Sequence, residues 1–151
     1  MYTDGQESKE FIAVRLPVTF NYAAGRVASR FFQDLRNERK IMGKRCGNCD
    51  RVLVPPRLFC PFCFCDTAEW VEVSREGVLE QFTVVHCQAK HYPFPPPVIY
   101  GLIHLDGADT QLLHVISEVK IEQVRKGLRV EACFNPVATV PMFYISHFRP
   151  G

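Results

Sequence analysis

Cys46-Gly47-Asn48-Cys49, a gap of ten residues, and Cys60-Pro61-Phe62-Cys63 form two C-x2-C pairs in this chain of 151 residues. Each pair lets a tight turn present two thiolates to one ion, and two such turns on a β-hairpin close a tetrahedron. Sulfur ligands select zinc or iron over calcium or magnesium. Four protein ligands leave no position for water, so an ion held by Cys46, Cys49, Cys60 and Cys63 is structural and activates no nucleophile. Lys44, Arg45, Pro55, Pro56 and Pro61 surround the pairs, and the prolines stiffen the turns. Cys65 offers a neighbouring thiolate as a substitute ligand. Cys87 and Cys133 fall in strand-like stretches, where small buried residues are expected.

The remaining composition agrees with a metal rather than disulfides. The start, MYTDGQESKE, lacks the basic-then-apolar pattern of a secretory signal, so seven cysteines point to ligation in a reducing compartment. Hydrophobic residues at 47% and charged ones at 23% describe a globular chain with enough length for a real core. No apolar run reaches the roughly 18 residues of a membrane span. A soluble, cytoplasmic protein is the expectation.

Upstream of the cysteines, Val27, Phe31 and Leu35 recur every four residues, with Phe32 widening the stripe, and predict a helix over 26–41 stopped by Gly43. Before it, Ile12, Val14, Leu16, Val18, Phe20 and Tyr22 alternate along an extended arm that must lie against the domain or a partner. Residues 26–57 hold nine basic residues against three acidic ones, although the net charge is only +2. That local excess suits a phosphate-bearing ligand or an acidic face, and equally a solvated helix and ribbon surface.

Downstream lie short strand-like stretches at Trp70–Val73, Val78–Cys87, Val98–Leu105, Leu112–Val119, Leu128–Phe134 and Met142–Phe148. Asp106-Gly107-Ala108-Asp109 reads as a hairpin turn and Ile121–Lys126 as a short helical turn. About five strands with one helical turn suit a small closed barrel of OB type, with a sandwich as the competing arrangement. The fold is therefore expected to be mainly β. It divides into an arm and amphipathic helix over 1–43, a zinc ribbon over 44–68 and a barrel over 69–151.

Catalytic machinery is not evident. His86 and Cys87 are adjacent on a strand and point to opposite faces, so they cannot pair as base and nucleophile. His104 and His114 are expected to be satisfied barrel histidines, and Asp106 and Asp109 turn residues. No phosphate-binding glycine loop, G-x-S-x-G or H-E-x-x-H occurs. The strands lack the interleaved aromatic and basic residues of an oligonucleotide track, which argues against nucleic acid.

The order of these parts resembles the acyl-CoA-associated family with a rubredoxin-like zinc ribbon followed by an OB-fold, domain of unknown function 35. The resemblance rests on Phe31-Phe32-Gln-Asp-Leu-Arg, Arg45-Cys46-Gly-Asn-Cys49, Val54-Pro55-Pro56-Arg57, Cys60-Pro61-Phe62-Cys63, Gly77-Val-Leu-Glu-Gln-Phe82, Leu105-Asp106-Gly107-Ala108-Asp109 and Phe148-Arg149-Pro150. One departure is visible: Asp50 and Phe64 stand where a glycine often follows each knuckle. The resemblance implies a non-catalytic subunit of a thiolase-superfamily enzyme, or of a related acyl-CoA hydratase or aldolase, that holds the complex together and shapes the coenzyme A channel. Under it, Arg57, Arg45 and Lys44 are candidates for the coenzyme A phosphates, and Tyr92 and Phe94 on the proline-rich loop for partner contact. A free-standing module binding acyl-CoA or single-stranded nucleic acid is the rival.

Overall fold

The computed structural model describes residues 22–88, 94–135 and 137–151. Helix α1, Gly25–Asn37, buries Phe31 and Leu35 on one face, each worth about 1.5–3 kcal/mol of apolar burial. Arg30 and Asp34 pair at 3.6 Å on the polar side. The helix ends four residues before the expected Ile41. The amides of Glu38 and Lys40 both turn back to the Asp34 carbonyl, and Arg39 takes a φ of 55°.

Gly43 is consequently not a helix stop. It lies within strand β1, Ile41–Cys46, where a Cβ would sit 2.7 Å from a Val52 methyl, so glycine is what lets the neighbouring strand approach. That neighbour is β2, Val52–Leu53, and β3, Thr67–Val73, flanks β1 on the other side, giving an antiparallel sheet ordered β2-β1-β3. The whole of β3, including Trp70, pairs in this sheet, with Ile41 opposite Val73 and Lys44 opposite Trp70.

The barrel follows from Glu76. Its strands are β4, Glu76–Val85; β5, Val98–Leu105; β6, Gln111–Ile116; β7, Arg129–Phe134; and β8, Ile145–Pro150. They close in the order β4-β5-β6-β8-β7, with β6 and β8 parallel and a 3-10 turn at Ile121–Gln123 between β6 and β7. This closed Greek-key order is the OB arrangement and removes the sandwich alternative. Gly77 is required where β4 crosses β5, since a Cβ would meet the Leu105 Cα at 2.8 Å.

One core serves both sheets. Leu79, Ile103, Leu105, Val130 and Phe148 fill the barrel, and the cluster continues through Phe31, Leu35, Ile41, Val52 and Val54. A polar joint reinforces it. The Val52 amide donates to Asp109 Oδ2 at 2.8 Å, and the Val54 amide donates to Thr110 Oγ1 at 2.7 Å. The Thr110 hydroxyl in turn donates to the Val54 carbonyl. The β5–β6 turn thus completes the open edge of β2. Asp106, its first residue, binds Arg129 at 2.7 Å, and that guanidinium holds its carboxyl below the usual range.

Candidate metal centre and its surroundings

Beyond the shared core, the ribbon's far end holds only Cys46, Leu53 and Cys60 fully buried, with Cys49 and Cys63 against them. Two knuckles of matching geometry build it. The Asp50 amide donates to the Cys46 carbonyl at 3.0 Å, and the Phe64 amide to the Cys60 carbonyl at 2.9 Å. The Cys46 amide donates to the Arg51 carbonyl and the Cys60 amide to the Cys65 carbonyl, both at 2.9 Å. Each turn needs a left-handed residue after its second cysteine, and Asp50 (φ 60°) and Phe64 (φ 56°) adopt it without being glycine. The glycine departure therefore leaves knuckle geometry intact, at about 1–2 kcal/mol of strain per residue.

The four sulfurs lie within 4.8 Å of one another, with Cys46 to Cys63 at 3.3 Å and Cys49 to Cys60 at 3.6 Å. All are free thiols, well beyond the roughly 2.05 Å of a disulfide. Tetrahedral zinc with bonds of about 2.3 Å places its sulfurs about 3.8 Å apart, so the donor set fits the ion in chemistry and in spacing. The protons tell the same story. Backbone N–H groups of Cys49 and Asn48 draw the Cys46 thiol down to about 6. Burial opposes ionisation of Cys60, but the Phe62 and Cys63 amides outweigh it and lower that thiol also. The Arg51 amide favours the Cys49 thiolate, yet burial and the adjoining sulfurs prevail and push it up to about 11. The Cys46 sulfur raises Cys63. Four thiolates this close repel each other, and a dication is what allows all of them to ionise.

Cys65 lies outside the cluster; its exposed thiol donates to the Cys63 carbonyl. Cys87 is exposed, against the expectation of burial, because β4 ends at Val85. Cys133 is half-buried. His104 is satisfied at 2.6 Å from the Ala108 carbonyl. His114 is not satisfied as expected: its Nδ1 is buried without a hydrogen-bond partner among the described residues, and burial lowers its pKa.

The three candidate cations part company. Lys44 is 7% exposed, its ammonium donates to the Thr67 carbonyl at 2.8 Å and it lies over Trp70. A buried, committed ammonium is not available to an outside phosphate, which corrects that expectation. Arg45 pairs with Asp50 at 3.1 Å and Glu69 at 3.5 Å. Arg57 is exposed and makes no ion pair among the described residues. Tyr92 lies outside the described residues. Phe94 is half-buried and meets Phe143 edge-on at 5.9 Å.

Two surface features carried no sequence expectation. An apolar groove of about 430 Å³ runs between α1, the Pro55-Pro56 corner and the barrel, lined among others by Phe32, Phe94, Leu113 and Phe143. The second knuckle exposes Leu58, Phe59, Phe62 and, at 84%, Phe64. Phe64 was legible only as a residue in a glycine's place. The groove needed three elements brought together.

The rubredoxin-like zinc ribbon model of ChsH2 matches residues 34–67, and the ChsH2 C-terminal OB-fold model matches residues 70–135. The chain belongs to the DUF35 family. A DUF35 domain-containing scaffold protein of Methanocaldococcus jannaschii is 29% identical over 109 residues, 72% of this chain and 77% of that protein. Among solved structures, the Ltp2-ChsH2(DUF35) aldolase shares the fold at a TM-score of 0.65, with 22% identity over 86% of this chain and 98% of the other. A DUF35 protein of unknown function from Sulfolobus solfataricus follows at 0.62, with 21% identity over 84% and 87%. No helix among the described residues is long and apolar enough to cross a membrane.

Proposed function

We propose that this DUF35 chain is a non-catalytic accessory subunit of a heteromeric thiolase-superfamily enzyme acting on a β-ketoacyl-CoA. Its partner carries out coenzyme A-dependent carbon–carbon cleavage or formation. Structural zinc sits on Cys46, Cys49, Cys60 and Cys63. The single observation that supports this reading best is Phe64: a bulky residue held at φ 56° and left 84% exposed on a metal-fixed turn. Glycine would make the same left-handed turn without that strain, whereas a rigid exposed aromatic serves as an anchor that loses little entropy when a partner covers it.

The chain's own residues divide the work in this reading. The ribbon fixes the anchor, and the apolar groove forms one wall of a channel that the partner closes over the pantetheine arm. Arg57, following the Pro55-Pro56 wall directly, meets the coenzyme A phosphates, joined by Arg45. Phe94 and Tyr92 contribute to the contact from the proline-rich loop. The aldolase named in one structural neighbour favours a second reading, in which the partner is an acyl-CoA aldolase.

Affinity capture of the tagged chain from its own cells is expected to return a stoichiometric, sequence-identified thiolase-superfamily subunit with coenzyme A-dependent carbon–carbon activity. Phe64→Gly is expected to keep zinc and fold while weakening that complex at least about tenfold, as loss of an interface anchor does. A monodisperse chain with no catalytic partner, binding oligonucleotide with a steep salt slope, would overturn the proposal.

A further inference from the structure

Separate from the ribbon ligands, Glu118, Cys133 and His147 bring a carboxylate oxygen, a sulfur and an imidazole nitrogen within 4.8 Å of one another on the barrel. They come from three separate stretches. Cys133 on β7 and His147 on β8 are direct cross-strand partners and so share a face, and the register shifts immediately after Cys133. A shift of this kind re-aims side chains. Glu118 follows β6 with a φ of 58°, and the preceding Ser117 amide is fixed to the Phe148 carbonyl at 2.8 Å.

Hydrogen-bond direction makes this trio more than a surface ion pair. The Ser146 hydroxyl lies 3.0 Å from the Cys133 carbonyl, which can only accept, so the hydroxyl donates there. His147 Nδ1 lies 2.9 Å from the same hydroxyl and must then be the N–H donor. The other ring nitrogen, Nε2, faces Glu118 Oε1 at 2.8 Å. In the neutral ring two lone pairs confront each other at that distance, and the contact calls for a cation between them. Arg149 does not supply it, since its guanidinium stands at the other carboxylate oxygen, 3.9 Å away, and is shared with Glu131 at 3.6 Å.

We propose that Glu118, Cys133 and His147 form a second transition-metal site, distinct from the ribbon, of the zinc class and with an open coordination position. Sulfur, imidazole and carboxylate together suit zinc. Ser146 acts as the outer-shell partner that fixes the ring and its tautomer, the role such groups play in known sites. The Glu118 side chain is exposed, and a small swing opens the 2.8 Å contact to the roughly 3.3–3.7 Å between ligand atoms on tetrahedral zinc. Binding releases the Cys133 proton, and with one thiolate and one carboxylate the site is neutral around a dication. Water or a group from another molecule takes the fourth position. A cysteine–histidine nucleophile pair is the competing use of these residues. It lacks the contact it needs, because His147 Nε2 is turned to Glu118 Oε1 at 2.8 Å and no hydrogen bond joins the ring to Cys133 Sγ among the described residues. This inference stands apart from the proposed accessory role.

Cadmium and zinc loading of the full chain tests it. Wild-type protein is expected to retain two zinc ions per chain through gel filtration. Its cadmium form is expected to show two NMR resonances, one in the tetrathiolate range and one displaced toward nitrogen and oxygen ligation. Cys133→Ser, His147→Gln and the exposed Glu118→Gln should each remove or weaken only the second ion, leaving the tetrathiolate resonance. A single ion and a single resonance in the wild type would overturn the site, whatever the variants do, and would identify the cation at His147 as a proton. Two retained ions in all three variants would overturn it as well.

Discussion

The knuckle end of the ribbon and the OB barrel solve the same problem by different means. The barrel closes five strands around Leu79, Ile103, Val130 and Phe148, all fully or almost fully buried, and satisfies its backbone through an unbroken ring of pairing. The knuckles bury little besides Leu53 and two cysteines, leave four large apolar side chains outside, and hold two residues in left-handed conformations. Apolar burial alone cannot order so small a unit, so a metal must. The difference teaches where stability and display are separated: the barrel carries the fold, and the metal frees the ribbon tip to present aromatic surface.

The sharpest way to break that contrast is to remove the metal. Cys46→Ser, or chelation, should cost the knuckles metal binding on the order of 10–16 kcal/mol. Hydrogen exchange should show amides of 46–66 losing protection while the barrel strands keep theirs. Barrel amides exchanging in the same step would mean that the two regions form one cooperative unit. The reciprocal test is Phe148→Ala in the barrel core, which should lower global stability by about 3–5 kcal/mol in denaturant melts. Zinc content in the folded protein should not change.

The joint between the regions gives an intermediate effect. Asp109→Ala leaves the Val52 amide without its carboxylate and should cost about 1–3 kcal/mol. Zinc stoichiometry should be kept, with the protection loss centred on β2. Equal loss across the barrel would show the joint to be part of the core rather than a seam. The smallest effect is a pH slope. Burial lowers the pKa of His114 in the folded state, so the unfolded chain takes up the proton first, near its ordinary value of about 6.5. Stability contributed by the neutral ring is complete above that pH and is lost as pH falls below it. His114→Leu should flatten this fall by up to about 1.4 kcal/mol per pH unit. An unchanged slope would place the acid sensitivity elsewhere, foremost in the thiolates of the ribbon.

Legibility in the sequence followed the range of the interactions. The two C-x2-C pairs are local, and their spacing alone assigned the four ligands that the fold brings together. Alternation marked the barrel strands to within a few residues, because side-chain direction along a strand is also local. The helix end was misplaced since Gly43 signals a stop by type, while its actual reason is the close approach of Val52, nine residues on and across a sheet. Lys44 looked like any basic residue beside a cysteine. Only the pairing of β1 with β3 placed its ammonium against the Thr67 carbonyl and under Trp70.

The sequence by itself therefore determined that the chain holds a tetrathiolate ribbon followed by short strands, since ligand spacing and residue alternation are properties of neighbouring residues. Tertiary structure decided that the strands close in OB order and that the β5–β6 turn seals the ribbon's edge. It also decided that Lys44 is committed to the Thr67 carbonyl while Arg57 makes no ion pair among the described residues, and that Glu118, Cys133 and His147 meet. Each of these depends on contacts between residues far apart in the chain, whose distances are fixed only when the whole core is packed.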